Sequence, residues 1–132
     1  MKDFWGIVVD QSLRSTDYID ELEVIAKREL GSWGMLLVCV SEDDLEGQIQ
    51  ALQQNMIDAK EDCWYAHFFC DKDLIVVYQD RTYHITTDPT TWAAAVQHGL
   101  DHGVLSEQLD FEPRTKAGAA AYFQLEGYLF GI

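Results

Sequence analysis

The segment from residue 64 to residue 87 constrains the fold more than any other part of the chain. Three short apolar runs, at residues 64–70, 74–79 and 82–87, are separated there by polar residues. Runs of this length, rich in β-branched and aromatic residues and joined by short polar connections, are typical of sequential antiparallel strands. The sequence therefore predicts a three-stranded antiparallel meander, in which the absence of glycine from both connections leaves the turn types open.

Three helices are predicted outside the meander. Residues 15–31 are predicted as a helix because apolar residues recur there at helical spacing before a terminal glycine; they are Ile19, Leu22 and Ile25. A second helix is expected to begin after Ser41, and its buried stripe is Leu45, Ile49, Leu52 and Met56. The third is expected to begin at Asp88-Pro89 and to end at Gly103, with Trp92, Ala95, Val96 and Leu100 on its buried side.

Residues 5–10 and 35–40 have the composition of strands, so the predicted order is β-α-β-α-β-β-β-α followed by an aromatic-rich tail at residues 119–132. Within one domain, residues 33–109 then match the order of a ferredoxin-like α/β sandwich. This is an α+β fold with a mainly antiparallel sheet and helices on one face. Residues 1–31 would add a strand and a helix to it. An open α/β sheet with parallel strands is the alternative.

A choice of register assigns the meander side chains to two faces. If Cys70 pairs with Leu74 and Gln79 with Thr82, alternation places a nearly all-apolar set on the face that packs against the helices. The opposite face is then mixed, too apolar for water and too polar for a dry core. Its members are Tyr65, His67, Phe69, Ile75, Val77, Gln79, Thr82, His84 and Thr86.

The mixed face predicts a binding surface, because apolar patches rimmed by polar groups mark partner or ligand sites. The candidate binding residues are Tyr65, His67, Phe69, Val77 and His84. A second copy of the chain is the expected cover, which predicts a homodimer. Two alternatives stay open: the N-terminal segment or the C-terminal tail folds over this face, or the face forms a groove for a small molecule.

Composition limits the classes of partner. With 23 acidic and 9 basic residues the formal charge is −14, which disfavours nucleic acid and anionic membranes. No apolar run approaches the length of about 20 residues that spans a bilayer, and the N-terminus lacks the pattern of a signal peptide. Three cysteines without a C-x-x-C pair indicate reduced thiols. We therefore expect a cytoplasmic protein.

Motifs for metal or cofactor chemistry are weak. His67 and His84 would stand two strands apart, about 9.6 Å between backbones, which is too far for a shared metal ion. His98 and His102 have helical i, i+4 spacing but lack the glutamate of H-E-x-x-H. Neither a nucleophile elbow nor a glycine-rich phosphate loop is present. The sequence predicts no metal and no cofactor.

Together these patterns predict a small binding or assembly module without enzymatic activity, engaging a protein partner or a small ligand through the meander face. The alternative is a small enzyme of the dimeric α/β sandwich type. In that case His67 or His84 would be the general base, in a groove lined by Tyr65 and Phe69.

Overall fold

A computed structural model of the chain describes residues 3–15, 17–18, 22–31, 33–58 and 63–124. The strands are β1 (Asp3–Val9), β2 (Glu23–Leu30), β3 (Trp33–Ser41), β4 (Tyr65–Cys70), β5 (Asp73–Tyr78) and β6 (Arg81–Thr86). The helices are α1 (Glu42–Asn55), α2 (Ala93–Asp101) and α3 (Lys116–Tyr122). Within these ranges, no helix combines the length and apolar character needed to cross a bilayer.

The six strands form one sheet in the order β2-β3-β1-β4-β5-β6, and every pair of neighbours is antiparallel. The predicted α+β class with an antiparallel sheet is confirmed, and the parallel alternative is wrong for the described strands. Strand β1 lies between β3 and β4. It is therefore part of the centre of the sheet and not an addition to a separate core.

The helix predicted for residues 15–31 is wrong over its second half, which is strand β2. Residues 16 and 19–21 of that prediction lie outside the described residues. After β2, Gly31 takes φ +72°, a left-handed conformation that favours glycine, and the chain returns as β3. Ile25 is 36% exposed beside an irregularity in the pairing of β2 with β3. Backbone pairing with β3 overrides the helical spacing, since local propensity is a weak determinant. The ferredoxin-like element order is consequently not found.

Helices cover both faces of the sheet, so the prediction of helices on one face is also wrong. Helix α1 buries the predicted side chains Leu45, Ile49 and Leu52 against one face, where Phe68 also lies. The other face is covered by α2, by residues 104–111 and by α3 through Ala119. The chain itself therefore supplies two apolar cores, one on each side of the sheet.

Helix α2 follows the predicted signals, except that Leu100 is exposed. Asp88 accepts a hydrogen bond from the backbone N–H of Thr90 in the short 3-10 turn before it, and Gly103 takes φ +86° after it. Between the short 3-10 turn at residues 106–108 and α3, the Phe111 side chain is completely buried. The tail is helical as far as Tyr122, and residues 125–132 lie outside the described residues.

The meander is confirmed, but its predicted register is wrong. Cys70 pairs with Asp73 and Tyr78 pairs with Arg81, so each turn contains two residues. In the first turn Asp71 takes φ 52°, because an aspartate tolerates the left-handed conformation that such a turn requires. The first turn is one residue shorter than predicted. The side chains of β5 and β6 therefore lie on the faces opposite to those predicted relative to β4.

Candidate functional site

The corrected register separates the five candidate binding residues. Tyr65, His67 and Phe69 face the core that contains α2 and α3, whereas Val77 faces α1. His84 is exposed on the α1 side of β6. Phe69 and Val77 are completely buried in opposite cores. No single surface therefore unites the five, and the described sheet does not contain the mixed face from which a covering second chain was predicted.

Residues 104–113, called the covering segment below, lie over this face of the sheet. His67 is a buried histidine that is hydrogen-bonded to this segment. Its Nε2 lies 2.8 Å from the carbonyl oxygen of Pro113, and because a carbonyl only accepts, Nε2 carries the proton. Burial lowers the pKa of His67 to about 4, against the opposing influence of this hydrogen bond and of Asp110. The imidazole is neutral at pH 7, and Nδ1 is its remaining acceptor.

Tyr65 makes a second connection between β4 and the same segment. Its hydroxyl donates a hydrogen bond to the carbonyl oxygen of Gln108. The ring packs edge-on against Phe111, with 5.4 Å between ring centroids. Burial, reinforced by the charge of Asp110, raises the pKa of the Tyr65 hydroxyl above its usual range. Both hydrogen bonds hold the covering segment at a fixed distance from the sheet.

A cavity of about 410 Å³ lies between the sheet and the segments that cover it. Aromatic rings form much of its wall: Trp33, Trp64, Tyr65 and Tyr122. Apolar side chains from β1 and β3, with Val104, complete the interior, and His67 is the histidine in the lining. Three residues of the lining have exposed side chains and mark where the cavity meets solvent: Gln108, Asp110 and Glu112.

The electrostatic character of this cavity is negative. Asp110 and Glu112 line it, and among the described lining residues there is no lysine or arginine. The guanidinium of Arg114 lies 2.7 Å from Glu112 and balances that carboxylate in part. Arg28 lies 4.3 Å from the centroid of the Tyr122 ring. The cavity can hold a neutral or cationic molecule, and it offers an anion no described positive charge within its lining.

A second group of polar side chains lies elsewhere, at the turn between β5 and β6. Asp80 in this turn meets His98 and His102 of the α2 end, and one ligand atom from each lies within 4.8 Å of the others. The sequence spacing indicates only the histidine pair. The missing signal was the position of Asp80, which depends on how α2 packs against the meander. These three residues could hold a metal ion.

Comparison of the chain with protein-family models, with curated proteins and with solved structures finds no match in any of the three. Function must therefore be argued from the geometry of the chain's own residues.

Proposed function

We propose that the protein is a non-enzymatic binding module that holds a small organic molecule, neutral or cationic, in the cavity beside Tyr65 and His67. The observation that carries this proposal is a cavity of about 410 Å³ with aromatic walls. Its volume falls within the range of about 300–1,000 Å³ that is usual for small-molecule sites. Like such sites, it combines an apolar lining with a few polar groups.

The lining indicates the chemistry of the ligand. Indole and phenol rings provide flat apolar surfaces, and their faces attract cations. The carboxylates of Asp110 and Glu112 favour a positive group at the mouth of the cavity, as does the formal charge of −14 on the whole chain. A flat apolar body, with or without an amine, fits these features better than a carboxylate or a phosphate.

His67 supplies a polar anchor within this lining. Because Nε2 donates to Pro113, the acceptor that the neutral ring retains is Nδ1. A ligand hydroxyl or N–H group placed beside this nitrogen would donate a hydrogen bond to it. This arrangement recognises a hydrogen-bond donor without requiring the histidine to change its protonation state.

The enzymatic alternative has less support from the same residues. A general base works best when its pKa lies near the operating pH, whereas the pKa of His67 is about 4 and Nε2 is bonded to Pro113. His84 lies on the other side of the sheet and is exposed. These observations favour binding without catalysis.

The binding proposal is tested by filling the cavity. Val104 lines it and its neighbour Leu105 is 58% exposed, so Val104→Phe and Leu105→Phe form a matched pair. We expect the wild type and Leu105→Phe to bind N-phenyl-1-naphthylamine, a neutral apolar dye, with enhanced dye fluorescence. Val104→Phe should weaken binding at least tenfold while keeping the wild-type circular dichroism spectrum.

Two results would contradict the proposal. One is equal dye affinity in both variants, which would place the dye elsewhere. The other is tighter binding of the anionic dye anilinonaphthalene sulfonate than of the neutral dye, which is opposite to the charge of the lining.

The homodimer stays a prediction, now without the uncovered sheet face that suggested it. Light scattering on the full chain tests it. A particle mass equal to that of a single chain, 15.1 kDa, would contradict the homodimer and leave the cavity proposal unaffected.

A further inference from the structure

Two imidazoles and one carboxylate converge at the turn between β5 and β6. Nε2 of His98 lies 3.0 Å from Oδ1 of Asp80, and Nε2 of His102 lies 3.7 Å from Oδ2 of the same carboxylate. The two rings are stacked, with centroids 4.5 Å apart and planes 20° from parallel. Ligand atoms around a tetrahedral zinc ion stand about 3.3 Å apart, because zinc–nitrogen and zinc–oxygen bonds are about 2.0–2.2 Å long. The two nitrogen–oxygen separations lie on either side of that distance, and all three ligand atoms lie within 4.8 Å of one another.

The other nitrogen of each ring is already bonded. Nδ1 of His102 lies 2.8 Å from the backbone carbonyl oxygen of His98, and Nδ1 of His98 lies 3.1 Å from the hydroxyl of Tyr83. Metal-binding histidines almost always use their second nitrogen in this way, which fixes the ring and its tautomer. Both rings are thus held with Nε2 directed at Asp80.

The hydrogen bond of His102 has a consequence for the charge between these groups. Because a carbonyl oxygen only accepts, Nδ1 of His102 must carry a proton, and a neutral ring then presents the lone pair of Nε2 to Asp80. A lone pair facing a carboxylate is unfavourable, and either a proton on Nε2 or a metal ion between the two groups removes the conflict. A divalent metal ion can accept the Nε2 lone pairs of both histidines at once, with Nδ1 of His98 then donating to the Tyr83 hydroxyl; without a metal, Nε2 of His98 can donate to Asp80.

The surroundings hold the rings rigidly and leave access from solvent. The His98 ring packs at 4.4 Å, centroid to centroid, on the buried ring of Tyr78, whose hydroxyl donates to the Ala95 carbonyl oxygen. Side-chain exposure increases from 13% at His98 to 43% at Asp80. Arg81 is the nearby cation, and its guanidinium lies over the Tyr83 ring at 5.4 Å. Three ligands on one side therefore leave a coordination position open to water.

We propose that Asp80, His98 and His102 bind one divalent transition-metal ion of the zinc class, with a fourth position open to water or an exogenous ligand. Imidazole and carboxylate ligands in a three-residue set are typical of zinc sites with an exchangeable ligand. The ion would connect the β5–β6 turn to the end of α2. The site lies outside the lining of the apolar cavity and does not depend on the proposed binding function.

The test uses Zn²⁺ alone, added to the metal-free full chain and followed by calorimetry, with Co²⁺ as a spectroscopic substitute. We expect one ion per chain. Asp80→Asn, His98→Gln and His102→Gln should each weaken Zn²⁺ binding at least tenfold. The matched controls are Asp71→Asn, in the other meander turn, and His84→Gln, an exposed histidine, and both should bind as the wild type does.

Further readouts separate this site from other causes. Tyr83→Phe removes only the partner of Nδ1 and should weaken Zn²⁺ binding by about tenfold. Co²⁺ should give ligand-field absorption without a sulfur charge-transfer band, because the three cysteines take no part. Thermal unfolding without metal shows whether each variant is folded. The proposal is overturned if Zn²⁺ in excess does not bind, if the controls lose as much affinity as the site variants, or if Co²⁺ shows the thiolate band.

Discussion

A fully buried histidine makes the stability of this protein depend on pH at the scale of one residue. His67 has a pKa of about 4 when folded and about 6.5 when unfolded, so the unfolded chain binds more protons between these values. Stability therefore rises with pH across this interval, is fully present above about pH 6.5 and is lost as the pH falls towards 4. This difference between the folded and unfolded pKa values corresponds to about 3 kcal/mol in the free energy of unfolding. Urea unfolding at pH 7 and near pH 4 measures it.

A pair of variants isolates this contribution from that of the carboxylates. Gln at position 67 keeps an N–H donor for the Pro113 carbonyl oxygen but does not titrate. On acidification, the free energy of unfolding of His67→Gln should therefore fall by about 3 kcal/mol less than that of the wild type. His84→Gln changes an exposed histidine and should leave the pH dependence unchanged. Parallel pH profiles for all three proteins would show that His67 is not buried as a neutral ring.

Two of the candidate binding residues, Tyr65 and His67, line the cavity. They were selected as members of a mixed meander face, which the observed register does not contain. Their partners are backbone carbonyls of Gln108 and Pro113, more than 40 positions away, and every residue has a carbonyl. No side-chain pattern marks such an acceptor, so the sequence could not reveal which segment covers the sheet.

Replacing a glycine by alanine is expected to have opposite effects on stability in β1 and in α1. Gly6 pairs with Phe68 where β1 meets β4, and a Cβ at this position would overlap the Phe68 ring. Gly6→Ala should therefore lower the free energy of unfolding by about 1–3 kcal/mol. A Cβ at Gly47, on the exposed side of α1, would meet no atom within 4 Å. Gly47→Ala should raise the free energy of unfolding by about 0.5–1 kcal/mol through helix propensity.

Chemical denaturation of both alanine variants checks these signs. A neutral Gly6→Ala variant would mean that the Phe68 ring can rotate away at no cost. A destabilised Gly47→Ala variant would argue against a regular helix at that position.

Elements were predictable where several local signals agreed. Helix α1 has acidic residues in its first turn, a cap position at Ser41 and an apolar stripe, and the structure follows all three. For β2 the local pattern and the tertiary structure disagree. Residues 15–31 have the apolar spacing of a helix, but residues within them form a strand because they hydrogen-bond to the edge of β3. The register of the meander was mispredicted for a related reason. The length of the turn at Asp71 determines which face each side chain of β5 and β6 lies on, and the φ of Asp71 cannot be predicted from its residue type.

For the molecule as a whole, the formal charge of −14 predicts a dependence on ionic strength. Described ion pairs such as Lys27–Glu29 are exposed and contribute little, so repulsion among the excess carboxylates is the larger effect. Raising NaCl to about 0.15 M shortens the screening length to about 8 Å and should stabilise the fold by about 1 kcal/mol, or roughly 4 °C in Tm. Differential scanning calorimetry measures the shift. KCl should act equally, and a lower Tm in salt would mean that attractive pairs dominate.

The position of β1 determines the order in which the sheet can form during synthesis. This strand leaves the ribosome before any of its neighbours, yet it must bond to β3 on one side and to β4 on the other. A nascent chain that has reached Ser41 can pair one side only. Until Cys70 has been made, the second side carries open N–H and C=O groups of the kind that recruit strands from other molecules. Truncated translation products ending between these points should be the most aggregation-prone forms of this chain.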